Sequence, residues 1–582
     1  MHIRLVGLIV LLMITSICSA KTTISAGKLQ AVVSPEKGVT QLKLNGKIVM
    51  TGSSTHAQGA LFTLLRNTPT RDWEWPANRD TPHYAPSIGK LVDKIGQWKK
   101  HTIHVLKSQA DRYVIEHRYQ AGVNITYDHH LVGPDLKLKI TIDNKTADNF
   151  QLHDWLLFFF KTQTPAKLSH QMGSYYPAGD VYSPVTMISD RNWGVGINYI
   201  EHDFRPLEIR LDAMRAANTW QLKTWLKNSP IAAGSQRSYT MIMRVDDTPG
   251  DWKHLLLPYK KWFNDYLGPV RYSMDFRVKA GVFCGSLEGM SPTNPRGFYG
   301  QLDRQGWQPF INQRVGHLRK YNTGEILIWG ATGISKRGVN YRPEFDVFPK
   351  ILEDGLPQLK TYFQQLGNKR YGFFARPNTI AYQRSNAQDA DVSFNPLDAR
   401  HVRMADRRYE NLLKAGATAF YMDTYGADWG CFPDSAKASV FYLKHLREKV
   451  GPDVLLVTEF GFDAFHVFAP IWPNRKDKLG HLPYGQYARW LVKGSVDFCR
   501  VDSVAGARRV WEKGAVPMLN DFAINNELMQ LQKQFVNSDG SSKARNDCLV
   551  PVRLPTQNPR GLPSQKVAPL ESIDRVDSLF KR

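Results

Sequence analysis

The sequence predicts an all-β sandwich followed by a (β/α)8-type barrel, on three observations. Between about residues 22 and 244, short runs alternate polar and apolar residues between turn signals; one amphipathic helix follows; beyond it, strand-like and helix-like segments alternate. The chain has 582 residues, 42% of them hydrophobic and 22% charged. At about 150 residues per domain, that is room for two to four domains, with cores large enough to need no disulfide scaffold. The 15 Trp, 24 Tyr and 28 Phe exclude a disordered chain. Beyond the N-terminal apolar stretch no second long apolar run occurs, which excludes a multi-span membrane protein.

Residues 1–20 read as a signal peptide. His2 and Arg4 give a weakly positive start, residues 5–14 are nearly all apolar, and Cys18, Ser19 and Ala20 are small residues at a cleavage site. Ile17 before Cys18 is too large for a lipoprotein signal. The mature chain is therefore expected outside the cytoplasm, secreted or periplasmic, with no stable membrane insertion.

Residues 21–250 form the predicted sandwich. Alternation over 28–33, 41–44, 103–106, 113–117, 124–131, 136–142, 155–160 and 239–245 puts one face of each strand on a core and the other in water. Many strands without intervening helices mean sheet on sheet. Residues 251–270 read as a linker helix, with Leu255, Tyr259, Trp262 and Tyr266 at helical spacing, Asp251 as N-cap, and Gly268-Pro269 as the stop.

Residues 271–536 follow strand–helix grammar. Candidate strands are 278–283, 325–329, 371–376, 417–422, 454–458, 496–500 and 516–519, separated by amphipathic helices such as 397–415 and 435–450. Parallel strands joined by helices over such a length predict a (β/α)8 barrel, although the count reaches seven and the eighth strand is unmarked. Residues 537–582, rich in Ser, Pro, Asn, Arg and Lys, read as a tail of little structure.

The net charge is +23 and the pI near 9.6. Such a balance favours anionic partners, so an acidic glycan is one expectation. The basic residues are nevertheless scattered, and no nucleic-acid-binding signature occurs, so no nucleic-acid partner is expected. Four cysteines follow the signal (Cys284, Cys431, Cys499 and Cys548), with no CxxC and no zinc spacing; disulfides and buried thiols are equally open. Asp246, Asp247 and Asp251, and Asp389 with Asp391, have carboxylates at calcium-like spacing, but neither completes an EF-hand loop and solvated turns explain them better. No metal and no cofactor is expected.

In a (β/α)8 barrel the chemistry sits where strands end and loops begin. The fourth candidate strand ends AFYMDTYG, with Asp423 at its tip; the fifth ends LLVTEFGF, with Glu459; the seventh ends PMLNDFA, with Asp521. Hydrolysis of a glycosidic bond needs two carboxyl groups, and adjacent strand tips suit the separation of roughly 5 Å found in retaining enzymes. The 36 residues from Asp423 to Glu459 fit one loop, helix and loop. Trp329, Tyr425, Trp429 and Phe460 at or beyond strand ends are candidate stacking faces for sugar rings, and Arg376 is a candidate hydroxyl or acid contact. His466 and His481 follow the fifth strand and are expected to be mainly structural.

The stretch NITYDHHLVGPDLKLKITIDN (124–144) resembles the paired long strands of the mutarotase-like supersandwich, which several carbohydrate-active families carry before a catalytic barrel. An Asp ending strand four and a Glu ending strand five resemble the retaining glycoside hydrolases with α-amylase-like barrels. Among these, the endo-α-N-acetylgalactosaminidases pair such a barrel with a supersandwich. The resemblance implies a retaining hydrolase with Asp423 as nucleophile, Glu459 as acid/base and Asp521 as a transition-state-stabilising carboxylate. Tyr421 stands where amylases carry an Arg. Families related to α-galactosidases imply another acid, an Asp on the sixth candidate strand, here Asp497 or Asp502. Two rivals remain: a non-catalytic carbohydrate-binding protein on a hydrolase fold, whose strand-tip carboxylates would be far apart or locked in ion pairs, and a polysaccharide lyase, whose product would absorb through a new double bond.

Overall fold

The computed structural model describes residues 21–543 apart from 53–60, 67–100, 121, 163–166, 172–180, 201–208, 217–218, 227–230, 249–250, 287, 295–296, 332–349, 368, 376–378, 383–389, 394–395, 397, 423–424, 426–434, 460 and 473–482. Residues 1–20, Cys431, Cys548 and most of the tail therefore lie outside the described residues. So do Asp423, Arg376, Trp429, Phe460, His481 and Asp389.

The N-terminal half is two eight-stranded sheets, every pairing antiparallel. One runs from Thr22–Ala26 through Leu29–Ser34, Gly38–Leu44, Lys47–Gly52, Phe150–Thr162 and Thr219–Leu226 to Ile209–Ala216, with Leu61–Arg66 also on Phe150–Thr162. The other runs from Lys167–Gln171 through Val185–Ser189, Gly194–Ile200, Gln236–Asp246, Asp135–Asn144, Val123–Val132 and Arg112–Tyr119 to His101–Ser108. Alternation supplies the filling: Ile24, Leu29, Ala31 and Leu42 of the first sheet share one core with Ile125, Tyr127, Leu138, Ile140 and Met241 of the second.

Gly194–Ile200 carries no alternation because it is buried along its whole length. Val195, Ile197 and Tyr199 face the sandwich core. The opposite face receives the linker, where a Cβ on Gly196 would stand 2.3 Å from the Leu255 carbonyl oxygen. That linker is two helices, Trp252–Leu255 and Leu257–Leu267, because Pro258 starts a new one. Its buried face is Tyr259, Phe263 and Leu267, whereas Tyr266 is exposed, so the expected stripe is rotated. The far side reaches the barrel: Asn264 Nδ2 donates to Leu491 O (3.1 Å) and Lys260 lies 4.7 Å above the Trp490 ring.

Seven parallel strands form one sheet in the second half. In chain order they are barrel strand one, Lys279–Phe283; two, Ile326–Trp329; three, Tyr371–Ala375; four, Ala419–Met422; five, Leu455–Thr458; and then Phe498–Arg500 and Val516–Asn520. The gap between strand five and Phe498–Arg500 is filled by residues 470–472. Thr458 N donates to Pro470 O (3.1 Å), Trp472 N to Thr458 O (2.8 Å), and Phe498 N to Ile471 O (2.9 Å). Ile471 bridges Thr458 and Asp497 in parallel. These three residues are the unmarked strand. They become strand six, and Phe498–Arg500 and Val516–Asn520 become seven and eight.

Strand eight pairs with strand one, so the ring is closed. Followed once around, the register that leaves strand one at Ala280 returns eight residues earlier, at Tyr272. Eight strands with that offset are the (β/α)8 geometry. Residues 537–543 are not free tail: Phe276 N donates to Gly540 O (2.8 Å), and Val536 bridges Ser542. Cys284 and Cys499 are buried free thiols. No helix among the described residues is long and apolar enough to cross a membrane.

Sandwich and barrel meet at a buried carboxylate. Asp463 Oδ2 accepts from Ser183 Oγ (2.6 Å) and Tyr259 OH (2.7 Å), and its burial pushes the carboxyl up to about 7. Burial likewise pushes Asp497 up to about 6 against the Arg489 guanidinium, which favours its charge. Both groups hold their protons more tightly in the folded chain than in the unfolded one. Their stabilisation is therefore complete below about pH 4 and is lost as pH rises through 6 and 7. In denaturant titrations their contribution to the unfolding free energy falls between pH 4 and 7.5, opposite in sign to that of buried His117, His129 and His466, whose imidazoles burial pushes down to about 4, 4 and 3. Asp463→Asn should flatten the upper part of that fall, and an unchanged slope in the variant would refute the assignment.

Candidate active site

Strand parity determines what the barrel mouth contains. Leu327, Trp329, Phe374, Tyr421, Val457, Phe498 and Met518 pack together inside the barrel, while Ile328, Phe373, Phe420, Met422, Leu456, Ile471 and Leu519 pack outward against helices. The interior is filled from below. At the N-terminal ends of the strands Lys279, fully buried, ion-pairs with Glu325 (2.6 Å), and Arg370 adds a second contact to Glu325 (3.1 Å).

Above this plug lies an aromatic floor. Phe283 stacks on Trp329 (5.4 Å between centroids), Phe374 stacks on Tyr421 (4.4 Å), and Trp472 meets Tyr421 edge-on (4.6 Å). Trp329 fits only because strand one carries Gly281 beneath it; a Cβ there would stand 2.3 Å from the indole. The same packing accounts for Tyr421 in a position where an Arg was the comparison, since this side chain fills the floor.

Glu459 follows strand five. Its N donates to Met422 O (3.3 Å), which continues the ladder with strand four by one residue. Two residues on from the inward Val457, Glu459 is on the mouth parity, and it is half-buried. Strand four ends at Met422, beside Thr458, and the chain continues into Asp423. Across the mouth, Arg500 of strand seven donates to Asn520 Oδ1 of strand eight (3.2 Å) and lies 5.8 Å over the Phe283 ring. Phe522, just past strand eight, is 75% exposed at the rim.

The other expected residues fall elsewhere. Asp521 has the parity of the outward Leu519, and its carboxylate is buried outside the wall. Arg314 binds it through Nη2 to Oδ1 (3.0 Å) and Oδ2 (3.1 Å), and His317 contacts its carbonyl (3.1 Å). A carboxylate so engaged holds the turn after strand eight and does not face the mouth, which corrects the transition-state role. Trp329 is 2% exposed, a floor residue with no open face for a sugar. Tyr425 is buried among outward-packed residues, with its hydroxyl donating to Ser439 O (2.6 Å) and its ring on Phe465 (5.4 Å). It is core and not a substrate contact.

Asp497, one of the two alternative acids, lies between inward Val496 and Phe498 and so points outward, 3.8 Å from Arg489. Asp502 is exposed beyond strand seven. His466 is fully buried, and desolvation pushes its imidazole down to about 3, so it is neutral and structural. The first set of carboxylates at calcium-like spacing has protein partners: Asp246 with His254 (2.7 Å), Asp247 with Lys28 (3.1 Å), and Asp251 on the His254 amide (3.0 Å). Residues that sequence reading missed are Phe283, Trp472, Arg500, Asn520 and Phe522. Arg500 and Asn520 were accessible in principle, each two residues beyond an inward apolar residue (Phe498, Met518) of a recognised strand. Trp472 was hidden with strand six.

No family model matches the chain, and no curated protein matches it. Solved structures do. The chain is similar to the GH36 α-galactosidase AgaB from Geobacillus stearothermophilus at 10% identity, over 88% of this chain and 85% of that one, with a TM-score of 0.47. It is similar to the galactosidase domain of the α-galactosidase–sucrose kinase AgaSK at 12% identity, over 75% and 70%, with a TM-score of 0.43. The α-galactosidase TtGalA from Thermus thermophilus, in complex with stachyose, matches at 11% identity over 75% and 99%, with a TM-score of 0.38.

The parity assignment gives a direct test. Asp521→Asn weakens a buried pair and should cost about 3 kcal/mol of stability, measured by denaturant unfolding, while kcat of the folded variant stays within about twofold. A folded Asp521→Asn enzyme that loses about a thousandfold in kcat would return Asp521 to the chemistry.

Proposed function

We propose that the chain is an exported glycoside hydrolase that cleaves a glycosidic bond with two carboxylates and retains the anomeric configuration. The observation that carries this reading is the adjacency of barrel strands four and five. Met422 pairs with Thr458, and the next residue, Glu459, is bonded to Met422 O. Neighbouring strands lie about 4.8 Å apart, which suits the roughly 5–5.5 Å between the carboxyl groups of retaining enzymes. In this reading the residue after the fourth strand, Asp423, is the nucleophile, and Glu459 is the acid/base.

The surroundings suit a sugar. The half-buried rings of Phe283 and Trp472 and the exposed Phe522 offer faces to ring C–H groups, while Arg500 and Asn520 offer donors and an acceptor to hydroxyls. Arg500 is also the charge in the described mouth that would take an acidic substituent, which fits the basic balance of the chain.

The reaction proceeds in two displacements. Glu459, protonated, gives its proton to the leaving oxygen as the Asp423 carboxylate attacks the anomeric carbon, and the glycosidic bond breaks. Glu459, now ionised, takes a proton from water, whose oxygen displaces Asp423 from the anomeric carbon; the free sugar leaves with Glu459 reprotonated.

A panel of aryl glycosides tests this. Asp423→Asn should abolish turnover and covalent labelling. Glu459→Gln should lose about a thousandfold on poor leaving groups, and less in the first step on activated ones, so that a glycosyl-enzyme accumulates. Azide should then restore turnover of Glu459→Gln with retained product. Azide rescue confined to Asp423→Asn, with inverted product, would remove Glu459 from the role and favour Asp502. Binding of glycans with no turnover of any would favour a non-catalytic lectin-like protein.

A further inference from the structure

The sandwich touches the barrel next to Glu459. Val181–Tyr182 of the sandwich pairs in parallel with Gly461–Phe462, two and three residues beyond the carboxylate. The residues that follow each short strand then bond to one another, Ser183 Oγ to Asp463 Oδ2 at 2.6 Å. Tyr259 of the linker helix donates to the same oxygen at 2.7 Å. Tyr487, from helix Pro483–Leu491 between strands six and seven, bonds Ser183 Oγ at 2.5 Å. Asp463 Oδ1 takes its own neighbour's amide, Ala464 N, at 2.8 Å. Ser183, Asp463 and Tyr487 have no exposed surface, and Tyr259 has 1%.

Loops at barrel strand tips are ordinarily free to vary because little holds them. This one is fixed at both ends within four residues. On one side Glu459 N donates to Met422 O, and Thr458 is bonded to strand six through both its N, to Pro470 O, and its O, from Trp472 N. On the other, Ser183 and Tyr259, from two separate elements, bond Asp463, and Tyr487 bonds Ser183 behind it. The Gly461–Asp463 backbone, which begins two residues beyond Glu459, cannot shift unless the bonds of its parallel pairing and of Asp463 open.

We propose that the β-sandwich is a positioning domain for the Glu459 carboxylate, acting through the clamp of Ser183, Tyr259 and Asp463. These are positioning residues, since none of them is at the mouth. The proposal rests on the reading of Glu459 as acid/base. A misplacement of about 1 Å in a reacting group lowers the rate by roughly a hundredfold, so loosening the clamp acts on kcat and leaves binding on the aromatic floor intact.

Two variants of the full chain test it, Ser183→Ala and Tyr259→Phe, each of which removes a hydroxyl from Asp463 with a small change in volume. Tyr259→Phe removes the fewer bonds and remains decisive if Ser183→Ala does not fold. Hydrogen exchange of amides 459–463 should speed at least tenfold while amides 455–458 keep their protection. With the aryl glycoside that the unmodified chain cleaves fastest, kcat should fall about tenfold or more with KM within about twofold, and the Glu459 limb of the kcat–pH profile should move. Unchanged exchange at 459–463 would overturn the clamp. Faster exchange with an unchanged kcat and pH profile would overturn its link to Glu459. The exchange measurement needs no substrate, so a fully active Glu459→Gln enzyme would sink the assignment of Glu459 while the clamp was still read on its own.

Discussion

The barrel closes on three residues. Pro470, Ile471 and Trp472 supply the only backbone bonds that join strand five to strand seven among the described residues, and one bond, Phe498 N to Ile471 O, carries the far side. A sheet that failed to close there would leave two unpaired edges and would lose the shear that brings strand tips four to eight around one mouth. The eleven residues that lead to this strand, 459–469, hold Glu459 at one end and Asp463 near the middle. A single connection thus holds the candidate acid, the attachment of the sandwich and the approach to closure. Arg447 reinforces it from outside, with its Nε on Phe468 O (2.7 Å) and its Nη1 on Gly451 O and Val454 O (2.6 and 2.8 Å).

What fills the barrel governs where a ligand can go. The Lys279–Glu325 pair at the bottom has no exposed surface to speak of, so it is held by mutual attraction in a dry site, with Arg370 as a second partner of Glu325 and Asp275 as a second partner of Lys279. Above it the five aromatic rings of the floor occupy the upper interior on strands one, two, three, four and six. Rings are large and stiff, and their faces are satisfied by one another, so the floor is fixed without ligand. The interior below the strand tips is therefore filled, and a ligand is confined to the mouth above the floor, at the level of the strand tips where Glu459 stands.

Much of this was legible in the sequence, for identifiable reasons. Strands with one wet face, such as Arg112–Tyr119 and Val123–Val132, declare themselves by alternation. The barrel strands declare themselves as short apolar runs between amphipathic helices. Strand six did not, because AFHVFAPIWP offers three strand residues inside a continuous apolar stretch, behind a 3-10 turn and against two prolines. Gly194–Ile200 did not, because a strand covered on both faces has no polar phase to alternate with. The linker was seen as a helix with Leu255 and Tyr259 inward, as they are, but beyond Pro258, where a new helix starts, the buried stripe runs on through Phe263 and Leu267 instead of Trp262 and Tyr266. Tyr425 was read as a cleft residue from its place after a strand, yet the turn at Met422 and Tyr425 sends it back into the outer core.

The carboxylates carry the sharper lesson. Glu459, Asp521 and Asp497 each sit within one residue of a barrel strand, and composition treats them alike. Successive side chains on a strand point to opposite faces, so a shift of one position decides between the mouth and the outer wall. Val457 inside places Glu459 inside. Leu519 outside places Asp521 outside, where a buried charge needs a partner and Arg314 supplies one. Val496 and Phe498 inside leave Asp497 outside, near Arg489, where burial raises its affinity for a proton. The apolar neighbours one or two residues away settle each case before any charge is considered. In a barrel, a strand-tip acid is thus best judged by the residue two positions earlier: if that side chain belongs to the interior packing, the acid faces the mouth, and if it packs under a helix, the acid belongs to the fold.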